Sequence, residues 1–184
     1  MTLAEKLIAL HEALARGEIP HAFGGAIALG YYTDEPRGTR DVDVNVFMPA
    51  DEPGAALAAL PAEVARPAGT EEKVKRDGQV RLWWEATPVD LFFDNLDIHR
   101  RAASAVRTVE YEGVQLPILG PVELTVFKMM FDRGRDWGDI EEMLAAGSLD
   151  AAAARELLAS LIGDDDPRFE RFAEAARRAD ARQV

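Results

Sequence analysis

The sequence predicts an α/β protein, a small mixed sheet with flanking helices followed by a C-terminal helical segment. Three observations carry that prediction. Residues 41–48, Asp-Val-Asp-Val-Asn-Val-Phe-Met, alternate polar and apolar side chains, the period of a strand with one buried face. Residues 79–85 and 88–94 read as two more strands joined by a short turn. From Pro121 onward the spacing becomes helical, through Leu124, Phe127 and Met130 or Phe131, then Ile140, Met143 and Leu144. A boundary near Gly120 gives an α/β core over 1–120 and a helical segment over 121–184, expected to pack on the core as one unit.

The remaining elements follow in order. Leu3, Leu7, Ile8, Leu10 and Leu14 predict a helix over 2–16, ended by Gly17. After Pro20, a short strand ends at Ala22-Phe23, Gly24-Gly25 turns the chain, and Ala26–Leu29 is helical. A helix begins within 51–60, with Asp51 as its cap and Pro53 in its first turn. Residues 61–78 are polar and read as solvated loop and strand end, with Lys73, Lys75 and Arg76 as minor candidates for phosphate contact. Residues 97–106 read as a helix capped by Asp97, and 107–118 as a hairpin turning at Glu112-Gly113. Two further helices, 148–161 and 167–180, flank an aspartate-rich loop that reads as a cap rather than a metal site.

Composition bounds the function. With 184 residues and 48% hydrophobic content, the chain can bury one real core. It has no cysteine, which excludes disulfides and thiolate metal sites. The net charge of −12 argues against broad electrostatic binding of nucleic acid. The N-terminal helix is amphipathic rather than a signal peptide, and no apolar run reaches membrane-spanning length, so a soluble cytoplasmic protein is expected.

The chemistry concentrates in residues 21–48. Asp41, Asp43 and Asn45 share one strand face, while Val42, Val44, Val46 and Met48 share the other. Adjacent carboxylates repel unless a cation lies between them, and hard divalent cations prefer oxygen ligands. Gly24-Gly25, followed by a helix start, allows a phosphate to approach the backbone closely. Each feature has a plainer reading: Asp-x-Asp as a solvated edge, Gly-Gly as a tight turn. Asp90 lies within the apolar strand 88–94 and needs a charge partner if buried, which a metal shared with Asp41 and Asp43 would supply. Its plain reading is an edge-strand surface residue. Asp94 and Asp97 are rivals at the strand end. Trp83 and Trp84 point to opposite faces, one into the core and the other free to stack on a base or acceptor. Trp137 is read as packing between helices. His21 and His99 have no evident catalytic partner, and His11 is expected to be exposed.

Gly24-Gly25 followed by Arg37-x-Thr39-Arg40-Asp41-Val42-Asp43 resembles the signature of the nucleotidyltransferase superfamily, the polymerase-beta-like fold. The Gly-Gly form resembles the branch of AbiEii-type toxins and small antibiotic nucleotidyltransferases. The resemblance covers residues 20–145. It implies Mg²⁺ or Mn²⁺ held by Asp41, Asp43 and Asp90, with an NTP such as ATP cradled by Gly24 and Gly25. It also implies nucleotide contacts from Thr39, Arg40, Lys128 and Arg133, with Lys128 counted as catalytic. The implied reaction transfers a nucleoside monophosphate to an acceptor hydroxyl on a small molecule or tRNA, with an antitoxin partner in the toxin-like subclass. A catalytically inactive binding or toxin–antitoxin module on the same fold is the alternative. Lys128, in an apolar helix, reads otherwise as a surface lysine whose stem snorkels to solvent. Arg133 with Asp136 or Asp139 reads as a structural pair fixing a helix turn.

Overall fold

Thr2 starts the first helix, α1 (Leu3–Arg16), through a capping box in which its hydroxyl accepts from the Glu5 amide and Glu5 accepts from the Thr2 amide. Leu7, Leu10 and Leu14 are fully buried on one face. Each contributes about 2 kcal/mol by leaving water. Gly17 ends the helix against Ala59, where a Cβ would come within 2.8 Å.

The computed structural model describes residues 1–182, which fall into two compact units. The first comprises Met1–Ile27 and Gly38–Leu119. It holds the strands β1 (His21–Phe23), β2 (Val42–Pro49), β3 (Val64–Ala65), β4 (Gln79–Trp84), β5 (Thr87–Asp94), β6 (Arg107–Tyr111) and β7 (Val114–Ile118). These strands form one mixed sheet, ordered β3-β4-β5-β2-β1-β7-β6. The central pair, β2 and β5, runs parallel, with Asp43 opposite Asp90 and Val44 opposite Leu91. The apolar face of this pair, Val42, Val44, Val46, Val89, Leu91 and Phe93, is wholly buried and forms the core. Strand β5 pairs antiparallel with β4 as the expected hairpin. The β6–β7 hairpin turns at Glu112 and Gly113, which both have positive φ, as a two-residue hairpin turn requires.

The same unit contains α3 (Gly54–Ala59), α4 (Thr70–Asp77) and α5 (Asp97–Ser104). Here the structure corrects several expectations. Residues 70–77 are a helix rather than solvated loop. Only Thr70 and Val74 are buried on it, and a polar surface with so narrow an apolar stripe gives little periodic signal. Pro53, not Asp51, occupies the N-cap of α3. Leu96 caps α5, and Asp97 is its first helical residue. His11 is half-buried and bonded to His21, Nδ1 to Nε2 at 3.0 Å, so His21 does have a partner. His21 Nδ1 also lies 2.7 Å from the Ile19 carbonyl. Lys6, buried on α1, donates to the Trp84 carbonyl and Thr87 hydroxyl at 3.0 Å each and pairs with Glu85 at 2.8 Å, fastening α1 to the β4–β5 turn.

The second unit comprises Ala28–Arg37 and the chain from Gly120 onward. Residues 28–37 therefore group with the helical segment rather than with the sheet. The unit contains α6 (Pro121–Phe131), α7 (Gly134–Ala145), α8 (Ala151–Ile162) and α9 (Arg168–Arg182). Pro121 sits in the first turn of α6, where its missing N–H costs nothing. Asp132, with φ of 55°, ends α6 in the left-handed conformation, and its carboxylate accepts from the Trp137 indole at 2.8 Å. Trp137 is buried, as its reading as packing requires. Ser148 donates to the Tyr32 carbonyl at 2.6 Å, tying residues 28–37 to the helices. No helix of the described residues is long and apolar enough to cross a membrane.

Candidate active site

The site is built at the start of β2. Thr39 Oγ1 accepts from the Asp41 amide at 3.1 Å and so sets the backbone that leads into the strand. Asp43 lies on β2, and Asp41 is the residue immediately before the strand begins at Val42. Asp43 is locked from two sides. Its carbonyl accepts from the Gly24 amide at 2.9 Å, and its carboxylate lies directly over Gly25. Gly25 has φ of +51°, and a Cβ there would fall 1.8 Å from Asp43 Oδ2. No other residue fits both the backbone and the space. The glycine turn and the Asp-x-Asp strand therefore meet, as the sequence predicts. The helix after the turn, α2 (Gly25–Leu29), has only five residues.

Asp90 arrives from β5, directly opposite Asp43 across the parallel pair. Neighbouring strands lie about 4.8 Å apart, so these carboxylates belong to one patch of one face. Arg81 of β4, opposite Asp90 on its other side, completes the group. Its guanidinium grips Asp90 with two bonds, Nε–Oδ1 at 2.8 Å and Nη2–Oδ2 at 2.6 Å, and lies 3.9 Å from Asp41. The bonds to Asp90 hold Arg81 more firmly protonated than usual, with the fields of Asp90, Asp41 and Asp43 adding to them. Arg81 escaped the sequence reading. The signal that would have found it is its register opposite Asp90, which depends on the hairpin's turn length. Trp83 lies on the same face as Arg81, 46% exposed, whereas Trp84 is buried. Arg40 is exposed beside Asp41.

A cation, the Arg81 guanidinium, already pairs with Asp90 and approaches Asp41, and the donors are hard carboxylate oxygens, so the residues fit Mg²⁺ or Mn²⁺ chemically. Among the described residues, no group of three or more His, Cys, Asp or Glu side chains is arranged around a common metal position.

Lys128 and Arg133 lie in the second unit. Lys128 is 4% exposed, so it does not snorkel to solvent. Its ammonium donates to Asp139 at 2.6 Å and lies 3.9 Å from Asp136. Asp139 also accepts two bonds from Arg37, at 2.8 and 3.0 Å. Burial pushes the Asp139 carboxyl up, but Arg37 and Lys128 outweigh it and leave it below the usual range. Arg133 binds Asp136 at 2.6 Å in a reciprocal cap of α7, the structural pairing read from the sequence.

No protein-family model matches the chain, and no curated protein sequence matches it. Solved structures do. The antibiotic-resistance factor ANT(2'')-Ia, known from a solution structure, aligns over 98% of this chain and 97% of its own, with a TM-score of 0.61 at 14% identity. An antigenic nucleotidyltransferase-like protein from Paracoccidioides brasiliensis aligns over 93% of this chain and 92% of its own, with a TM-score of 0.52 at 16% identity. The chain has the nucleotidyltransferase fold.

Proposed function

We propose that the protein is a metal-dependent nucleotidyltransferase whose site is built from Asp41, Asp43 and Asp90. The observation that supports this most is the register of β2 and β5, which sets Asp43 beside Asp90 with Gly25 packed beneath Asp43. Such crowding of like charge on one face is costly without a cation, and an NTP–metal complex supplies one. Asp41, Asp43 and Asp90 would hold the ion. When bound, Mg²⁺ or Mn²⁺ neutralises the triphosphate and the charge on the attacking and leaving oxygens. Gly24 and Gly25 would let the phosphates approach the backbone, and Arg40 would add positive charge beside Asp41. Asp90 would accept the proton of the acceptor hydroxyl as its oxygen forms a bond to the α-phosphorus. The bond from that phosphorus to the oxygen bridging the β-phosphate breaks, and pyrophosphate leaves. The acceptor would be a small hydroxyl compound, as for an antibiotic-modifying enzyme, or a tRNA, as for an AbiEii-like toxin with its antitoxin.

Calorimetry with each of the four NTPs, with and without Mg²⁺, tests the reading. NTP binding should require the metal and should be lost in Asp43→Asn. Equal binding without metal, or by the variant, overturns it.

A further inference from the structure

We propose that Arg81 is the resident counter-ion of the carboxylate site, and that a divalent cation must displace it from Asp90 to bind. This rests on the metal-dependent reading. Both oxygens of Asp90 are engaged by the fork, one by Nε and one by Nη2, at 2.8 and 2.6 Å. A two-bond guanidinium–carboxylate pair is among the stronger protein contacts and occupies the in-plane lone pairs that a metal would use. The same guanidinium reaches toward Asp41 at 3.9 Å, so it meets two of the carboxylates that would hold the ion.

The pair is built for exchange rather than permanence. Asp90's side chain is 13% exposed, but that of Arg81 is 51% exposed. Arg81 also stands on the open side of β4, where Gln79, Arg81 and Trp83 are exposed and Val80, Leu82 and Trp84 are buried. A long, half-solvated side chain can leave Asp90 by rotation about its own torsions, with no change in the strand beneath it. Permanent pairs are made differently in this protein. Lys128 and Asp139 are both almost wholly buried. Arg81 thus keeps three aspartates tolerable in the metal-free state, and it is the competitor for Asp90 when metal arrives.

Binding of Mn²⁺ alone, without nucleotide, tests the competition. Free Mn²⁺ is counted by electron paramagnetic resonance in titrations of the full-length wild type, Arg81→Gln, Arg81→Lys and Asp90→Asn. Removing a charged two-bond competitor should tighten Mn²⁺ binding about tenfold in Arg81→Gln. Arg81→Lys, which offers a point charge instead of a fork, should fall between. Asp90→Asn should weaken binding. The metal-free melting temperature of Arg81→Gln should drop, and Mn²⁺ should raise it by more than it raises that of the wild type. Mn²⁺ affinity in Arg81→Gln equal to or weaker than wild type overturns the proposal, as does the absence of Mn²⁺ binding from both. If Arg81→Gln fails to fold, Arg81→Lys decides by the same comparison. Unchanged Mn²⁺ affinity with intact Mg²⁺-dependent NTP binding defeats this inference alone. Tighter Mn²⁺ binding without any NTP binding defeats the transferase reading alone.

Discussion

The sheet unit gathers Asp41, Asp43 and Asp90 around the Arg81 guanidinium, whereas the helical unit gathers Asp136 and Asp139 among Lys128, Arg37 and Arg133. In the first group negative charge is in excess, and the cation is half-exposed. In the second the cations outnumber the carboxylates, and Lys128, Asp136 and Asp139 are nearly inaccessible. Similar residue types therefore serve opposite ends. A buried, densely paired group holds structure together, because removing one member strands the others out of water. An open group with surplus charge costs less to disturb and retains a demand for a further cation.

The largest test of that contrast is Asp139→Asn. It leaves Lys128 and Arg37 without their shared carboxylate and should destabilise the protein by about 3–5 kcal/mol in urea unfolding. A loss below about 1 kcal/mol would place this group with ordinary surface pairs. Lys128→Ala should be costly for the same reason.

Acid sharpens the point. Asp139 titrates below the usual carboxylate range in the folded state, through Arg37 and Lys128 and against burial. Its folded value thus lies under its unfolded value, so its contribution is complete above about pH 4 and fades as pH falls through the depressed value. The stability gap between wild type and Asp139→Asn should close over that acid range. A gap that stayed constant down to pH 2 would break the assignment.

Gly25→Ala comes next. The strained φ and the contact with Asp43 Oδ2 should cost about 1–2 kcal/mol and displace the carboxylate, so Mg²⁺-dependent NTP binding should vanish with it. Retained binding would mean that the glycine is a turn and nothing more.

The smallest effect on stability is expected at the open group. Asp43→Asn should change metal-free stability by no more than about 0.5 kcal/mol, because it removes one of several like charges. Strong destabilisation there would make the sheet group structural as well and erase the contrast.

What could be read from the sequence follows from how locally each feature is encoded. The Asp-x-Asp strand, the 79–94 hairpin and the Glu112-Gly113 turn are periodic or carry turn chemistry, and all three formed. Asp90's facing followed from alternation within its own strand. Helix α4 did not show, because its interior contacts reduce to Thr70 and Val74. The pairing of Arg133 with Asp136 was legible in their spacing of three at a helix start, but that of Lys128 with Asp139 was not. Arg37 was not, since it meets Asp139 across 102 positions of chain. Arg81 and the His11–His21 pair depend on strand and helix placement, which no short window encodes.

The pairing of β4 with β5 also bears on the order in which the chain folds. Arg81 and Asp90 are nine residues apart in one hairpin, whereas Asp43 and Asp90 meet across a parallel pairing of much greater separation. Hairpins close in microseconds, and long-range parallel contacts form later. Asp90 therefore reaches Asp43 already escorted by a positive charge, and the repulsion that would oppose docking of β5 on β2 is met in advance. In stopped-flow refolding of metal-free Arg81→Gln, the lost stability should appear as slower folding, with the unfolding rate nearly unchanged. Unfolding that accelerates instead would mean the escort forms only after the strands have met.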